Sequence, residues 1–124
     1  MKVKLNQQMQ EVDGSPVQVT GRPPMTLKDV IINSLLSVKR NPQTGQPEIE
    51  DEKTKLDKYD LIRKIRDKKL EVELKAEEVA AIKNYISKHQ PSPIIVGEAL
   101  EMIEGKYKRM AVWTEEEEEA NEKT

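Results

Sequence analysis

KYDLIRKIRDKKLEVELKAEEVAAIKNYIS, Lys58 to Ser87, is the stretch that decides the fold. It opens as a basic amphipathic helix and passes through a short alternating link, Leu70-Glu71-Val72-Glu73-Leu74. A second helix follows, with Glu77 and Glu78 in its first turn. Acids belong in that turn because unpaired amides and the peptide dipole make a helix N-terminus positive. Val79, Ile82 and Ile86 then recur at helical spacing, with Tyr85 at the edge of the stripe. Period-two alternation in the link marks an extended segment that sends Leu70, Val72 and Leu74 toward a core.

Working back toward the N-terminus, the helix that contains Lys58 is predicted over about Asp51 to Lys69. Leu56, Tyr59, Ile62 and Ile65 form its expected apolar stripe, joined by Leu61. Its acids come early (Asp51, Glu52, Asp57) and its bases late (Arg63, Lys64, Arg66, Lys68, Lys69), matching the dipole at both ends. An earlier helix begins at Thr26, where Asp29 stands three residues on in capping-box spacing. Leu27, Val30, Ile31, Leu35 and Val38 make its stripe, widened by Leu36, and it should stop at Asn41-Pro42. The Pro- and Gly-containing segment 41–50 reads as a surface loop. A last helix is announced by Ser92-Pro93, a cap followed by proline at the first helical position, and is terminated by Gly105. Ile95, Ala99, Met102 and Ile103 face inward on it, helped by Val96 and Leu100.

The expected fold is therefore mainly α, four short helices with an extended link between the second and third. Residues 1–25 form either a β-hairpin from Val3 to Val19 around the Asp13-Gly14 turn signal or an irregular arm. Residues 26–113 make the helical domain, and residues 114–124 a disordered acidic tail. That tail holds six acids and one lysine, net −5, whereas the rest of the chain, with 20 bases against 17 acids, is +3. A block of like charge repels itself and has nothing to bury.

Composition excludes several kinds of chemistry. With no cysteine, a disulfide scaffold, a thiolate metal site and a cysteine nucleophile are ruled out. One histidine, His89, must serve every catalytic role, so no Ser/His/Asp set exists; it is expected as an exposed cation at a helix C-terminus. No cofactor, metal or catalytic residue is expected. There is no signal-peptide or membrane-spanning run, and the absence of cysteine suits a reducing cytoplasm. Gly97 lies inside the last helix and is expected to mark close packing against the first or third. Without phenylalanine the core must be built from Leu, Ile and Val, and a core this thin predicts self-association or a partner helix.

Two binding surfaces follow. Leu61, Ile94 and Leu100 remain once one apolar stripe is buried; with Tyr107 and Trp113 they form the expected contact surface for another protein. The competing surface is the basic run Arg63, Lys64, Arg66, Lys68 and Lys69, which has the charge to meet nucleic-acid phosphates. Interleaved acids such as Asp67, Glu71 and Glu73 interrupt its field, which favours the protein partner.

Thr26-Leu27-Lys28-Asp29-Val30, the Lys-rich helix through Tyr59-Asp60-Leu61, Glu71 to Glu78, and Ile94-Ile95-Val96-Gly97-Glu98-Ala99 together resemble a group of small accessory proteins of tailed bacteriophages and prophages. The resemblance spans about residues 26–105. It departs at Lys75, where such proteins often carry a capping serine. It implies a phage-encoded accessory protein working in the host cytoplasm or in particle assembly, and it transfers no site residue. The expected partner is a copy of itself, a phage structural protein or a host factor, and a minor virion or tail-assembly component is a further alternative.

Overall fold

The computed structural model describes residues 1–18 and 20–108. The chain is mainly α, with four helices and one small antiparallel sheet. In chain order these are β1 (Lys2–Lys4), α1 (Leu27–Leu36), α2 (Glu52–Arg66), β2 (Glu71–Glu73), α3 (Ala76–His89) and α4 (Pro93–Glu104). The acidic tail and Trp113 lie outside the described residues.

The hairpin expected from Val3 to Val19 is not what β1 forms. Val3 pairs with Val72 of β2, flanked by Lys2 opposite Glu73 and Lys4 opposite Glu71. Both valines are buried, and the flanking charges sit outside as cross-strand pairs of opposite sign. Leu5 N–H donates to the Leu70 carbonyl and Leu74 N–H to the Met1 carbonyl, each at 2.8 Å, which extends the ladder. The two segments with alternating Val and Leu bury each other's apolar face, a match the Gln-rich stretch after Leu5 cannot offer. The inner part of the expected hairpin does form around Asp13-Gly14: Glu11 N–H donates to Ser15 O at 2.7 Å and Val17 N–H to Met9 O at 3.0 Å. Gly14 takes φ 85°, Asp13 Oδ1 accepts from Ser15 N–H at 2.9 Å, and Gln10 bridges Pro16.

Helix ends follow their chemistry. Thr26 and Asp29 close the capping box of α1, and the Asp51 carboxylate accepts from Thr54 N–H at 2.8 Å to start α2. At α3, Lys75 makes no side-chain cap; its N–H donates to Glu78 Oε1 at 2.8 Å, so the helix is capped from its third position. Ser92 and Pro93 open α4, and Gly105 closes it at φ 74°. The first helix stops short of Asn41. Ser37 turns to extended backbone, its N–H and hydroxyl both donating to Asn33 O, and Val38 leaves the stripe.

Two expectations about faces are corrected. The stripe Leu56, Tyr59, Ile62, Ile65 places residues every three positions, each step falling ~60° short of a full turn, so its ends lie on opposite sides of the helix. Lys58, Leu61 and Ile65 are the buried residues of α2, while Leu56 and Tyr59 are about half exposed. Leu61 is thus a core residue and not a free contact. Gly97, expected in a close contact, faces open space; a Cβ built there would meet nothing within 4 Å.

The core is a single cluster in which Leu5 and Met9 of the N-terminal arm join Leu27, Ile31, Ile65, Ile82, Ile86 and Ile103. Helix α1 lies at its centre, packed against all three other helices. The arm is stitched across it by Lys28 N–H to Leu5 O and Leu27 N–H to Gln7 O.

Candidate functional site

Helix α1 buries Leu27, Val30, Ile31, Ser34 and Leu35, but its flank carries a second apolar pair, Ile32 and Leu36, four residues apart on one face. Ile32 is half-buried and Leu36 is 65% exposed. Beside them the arm returns through Val17 and Met25. Met9, Val17 and Met25 exchange backbone hydrogen bonds of 2.8–3.0 Å, which makes this irregular segment a firm wall. The turn joining Val17 to Met25 is closed by Gly21 at φ 81° and by Gln18 Nε2 donating to Arg22 O at 2.9 Å. Pro23 and Pro24 then extend the wall without presenting unmet N–H groups.

Between wall and helix lies a groove of about 810 Å³ with an apolar floor. Arg22, Lys28 and Arg66 stand around it. Lys28 Nζ donates to the carbonyls of Arg66 and Lys68 at 2.8 and 2.7 Å, joining α1 to the C-terminus of α2. The carboxylate in the lining, Asp29, already accepts from Thr26 N–H at 2.9 Å within the capping box. At the far end, Gln90 Nε2 donates to Ser34 Oγ at 2.9 Å. Three cations and one committed carboxylate leave the groove electropositive.

Of the described residues that the sequence offered as partner contacts, Arg66 alone lines this groove. Arg63, Lys68 and Lys69 are exposed without an ion-pair partner among the described residues, but Lys64 turns toward α3 and pairs with Glu78 at 2.7 Å. That contact, with the Lys75 N–H bond, holds the Glu78 carboxyl below its ordinary value despite the opposing effect of burial. The five cations therefore do not make one stripe. On α4, Ile94 is partly exposed and Leu100 half-buried. The Tyr107 hydroxyl lies 2.6 Å from both Gln10 Oε1 and Glu98 Oε2, clamping the arm to α4.

A second cluster was not legible as such. Lys58 is buried, with Nζ 2.6 Å from Glu50 Oε2, 3.2 Å from Ser37 O and 5.0 Å from the Tyr85 ring centre. His89 stacks on Tyr85 at 6.4 Å and is half-buried, not the exposed terminal cation expected. Burial, then Lys58 and Lys88, push its pKa down. The cluster ties both ends of loop 37–50 to α2 and α3 and satisfies its own charges, so it reads as a strap.

Among the described residues no group of three or more His, Asp or Glu is placed to hold a metal ion. No described helix is long and apolar enough to cross a membrane. No protein-family model matches the chain, and no curated protein or solved structure matches it either.

Proposed function

We propose that this chain is a non-catalytic protein-binding module whose groove beside α1 receives a peptide segment of apolar residues followed by carboxylates. The observation that carries this is the pairing of an apolar floor, Ile32 and Leu36 against Val17 and Met25, with the guanidinium groups of Arg22 and Arg66, which have no ion-pair partner among the described residues. Apolar side chains entering the floor supply affinity, and carboxylates meeting the arginines fix direction. The phage-encoded setting, with a phage structural protein or a host factor as the natural partner, belongs to the same proposal.

Nucleic-acid binding through Arg63, Arg66, Lys68 and Lys69 is the second reading, supported by their exposure and lack of ion-pair partners among the described residues. Against it, no aromatic residue among the described ones lines the groove to stack a base, and Lys64 is already paired.

The test is fluorescence anisotropy with a labelled peptide in which leucines precede glutamates, compared with one in which lysines replace the glutamates. The acidic peptide binds, and Leu36→Glu or Arg66→Glu weakens it by about tenfold each, equivalent to ~1.4 kcal/mol. Equal binding of the two peptides, or tighter binding of a DNA or RNA oligonucleotide that is lost on reversing Arg63, Lys68 and Lys69, would refute it.

A further inference from the structure

We infer that the groove beside α1 is occupied by the chain's own C-terminal segment, Met110 to Glu119, folded back on the same molecule. The inference rests on the groove being a peptide site, as proposed above, and names its resident. Beyond Lys108 the sequence runs Arg109-Met110-Ala111-Val112-Trp113-Thr114 and then five glutamates, Glu115 to Glu119. An apolar run followed by carboxylates is the chemistry that an apolar floor rimmed by Arg22, Lys28 and Arg66 selects.

Geometry places the segment within reach. Tyr107 is anchored on Gln10, and Gln10 adjoins Met9, which is hydrogen-bonded to Val17 and Met25 of the groove wall. Paired strands lie ~5 Å apart, so the wall begins about one strand spacing from the anchor. The residues from Lys108 to Trp113 span up to ~17 Å when extended, enough to cross the arm and enter the floor. Charge points the same way. The tail is net −5 and the remainder +3. Among the described residues Lys58, Lys64 and Lys83 are matched by Glu50, Glu78 and Glu104, whereas Arg22 and Arg66, the two arginines that line the groove, have no ion-pair partner.

Tethering makes modest contacts sufficient. With an effective concentration of order 1 mM, a segment of intrinsic Kd ~100 μM is docked in about nine molecules of ten, and a tenfold weakening lowers that to about half. An external partner must displace the tail, so the segment acts as a built-in competitor.

Trp113 is the chain's one tryptophan and so reports on the segment in the unmodified protein. Steady-state emission, excited selectively over tyrosine, and acrylamide quenching are measured on the full chain and on Leu36→Glu and Arg22→Glu/Arg66→Glu variants. These positions are exposed, and circular dichroism verifies that the variants stay folded. The expected result is a blue-shifted, shielded indole at all protein concentrations, with the shift and shielding reduced by about half in the groove variants. A free-indole spectrum in the full chain, shielding unchanged in the variants, or shielding that grows with protein concentration (a second copy's tail) overturns the inference. If the acidic peptide binds while Trp113 is free, this inference fails and the peptide-groove proposal stands. If the peptide does not bind and Trp113 is free, both fail.

Discussion

Gly97→Ala tests the packing of α4 through the position where sequence expectation and structure disagree most sharply. Glycine inside a helix is ~1 kcal/mol worse than alanine, because its backbone loses more freedom on ordering and contributes no side chain. A tight interhelical contact would cancel that gain through a clash. In the structure Gly97 is exposed, has ordinary helical backbone, and would place a new Cβ more than 4 Å from any neighbour outside its own helix. Nothing opposes the propensity term, so the substitution should stabilise by about 0.5–1 kcal/mol. For a domain of this size that is roughly 2–8 °C in Tm. Urea denaturation followed by circular dichroism at 222 nm reads it, with an unchanged slope because the surface exposed on unfolding is the same. Gly105→Ala supplies the internal control. There φ is 74°, so the same chemical change should destabilise by about 1 kcal/mol. A destabilised Gly97→Ala would mean α4 packs through its glycine after all.

Leu61→Ala should cost about 2–4 kcal/mol and Leu56→Ala less than about 1, since the first empties a core site and the second trims a half-exposed face; equal losses would restore the register rejected above. Glu50→Ala should cost about 1–3 kcal/mol, because it strands the buried Lys58 ammonium, whereas Lys58→Met should cost less, since Glu50 can turn to water; a reversed order in thermal unfolding would count against the strap. His89 titrates below its ordinary value of 6.5 in the folded chain, so its neutral form contributes stability that is full above that pH and is lost as the pH falls toward the folded pKa. Stability measured from pH 7 to 5 should therefore fall in the parent and fall less in His89→Gln, and parallel profiles would refute this. Asp51, Glu78 and Glu104 act only at lower pH, their carboxyls being held below the usual carboxylate range.

Most of the fold was legible because its signals are local. Thr26/Asp29, Ser92-Pro93 and Gly105 mark helix ends within a few residues, and Val79, Ile82 and Ile86 obey one period. Errors arose where a choice depended on distant chain. Val3 could satisfy its apolar face against Val17 or against Val72, and proximity in sequence does not decide between them. On α2 the apolar residues are dense enough to draw two stripes. The buried one includes a lysine, which the carboxylate of Glu50, the carbonyl of Ser37 and the face of Tyr85 make tolerable.

The groove was less legible for a related reason: its wall is non-repetitive backbone, and its rim gathers side chains from three separate segments. One signal was available. Ile32 and Leu36 stand at i, i+4 off the main stripe of α1, and a helix with a second apolar line beside its core face needs a second neighbour. The arm is that neighbour along part of the line, but Leu36 remains largely uncovered. The cations carry the same asymmetry. Lys58, Lys64 and Lys83 each face a carboxylate across an element boundary, as charges do when they hold a fold together. Arg22 and Arg66 have no such partner among the described residues and border the same open apolar surface. Solvation alone would account for either arginine. It does not account for their bordering the same groove as Leu36, and a segment that brings both carboxylates and apolar side chains is the occupant that answers both.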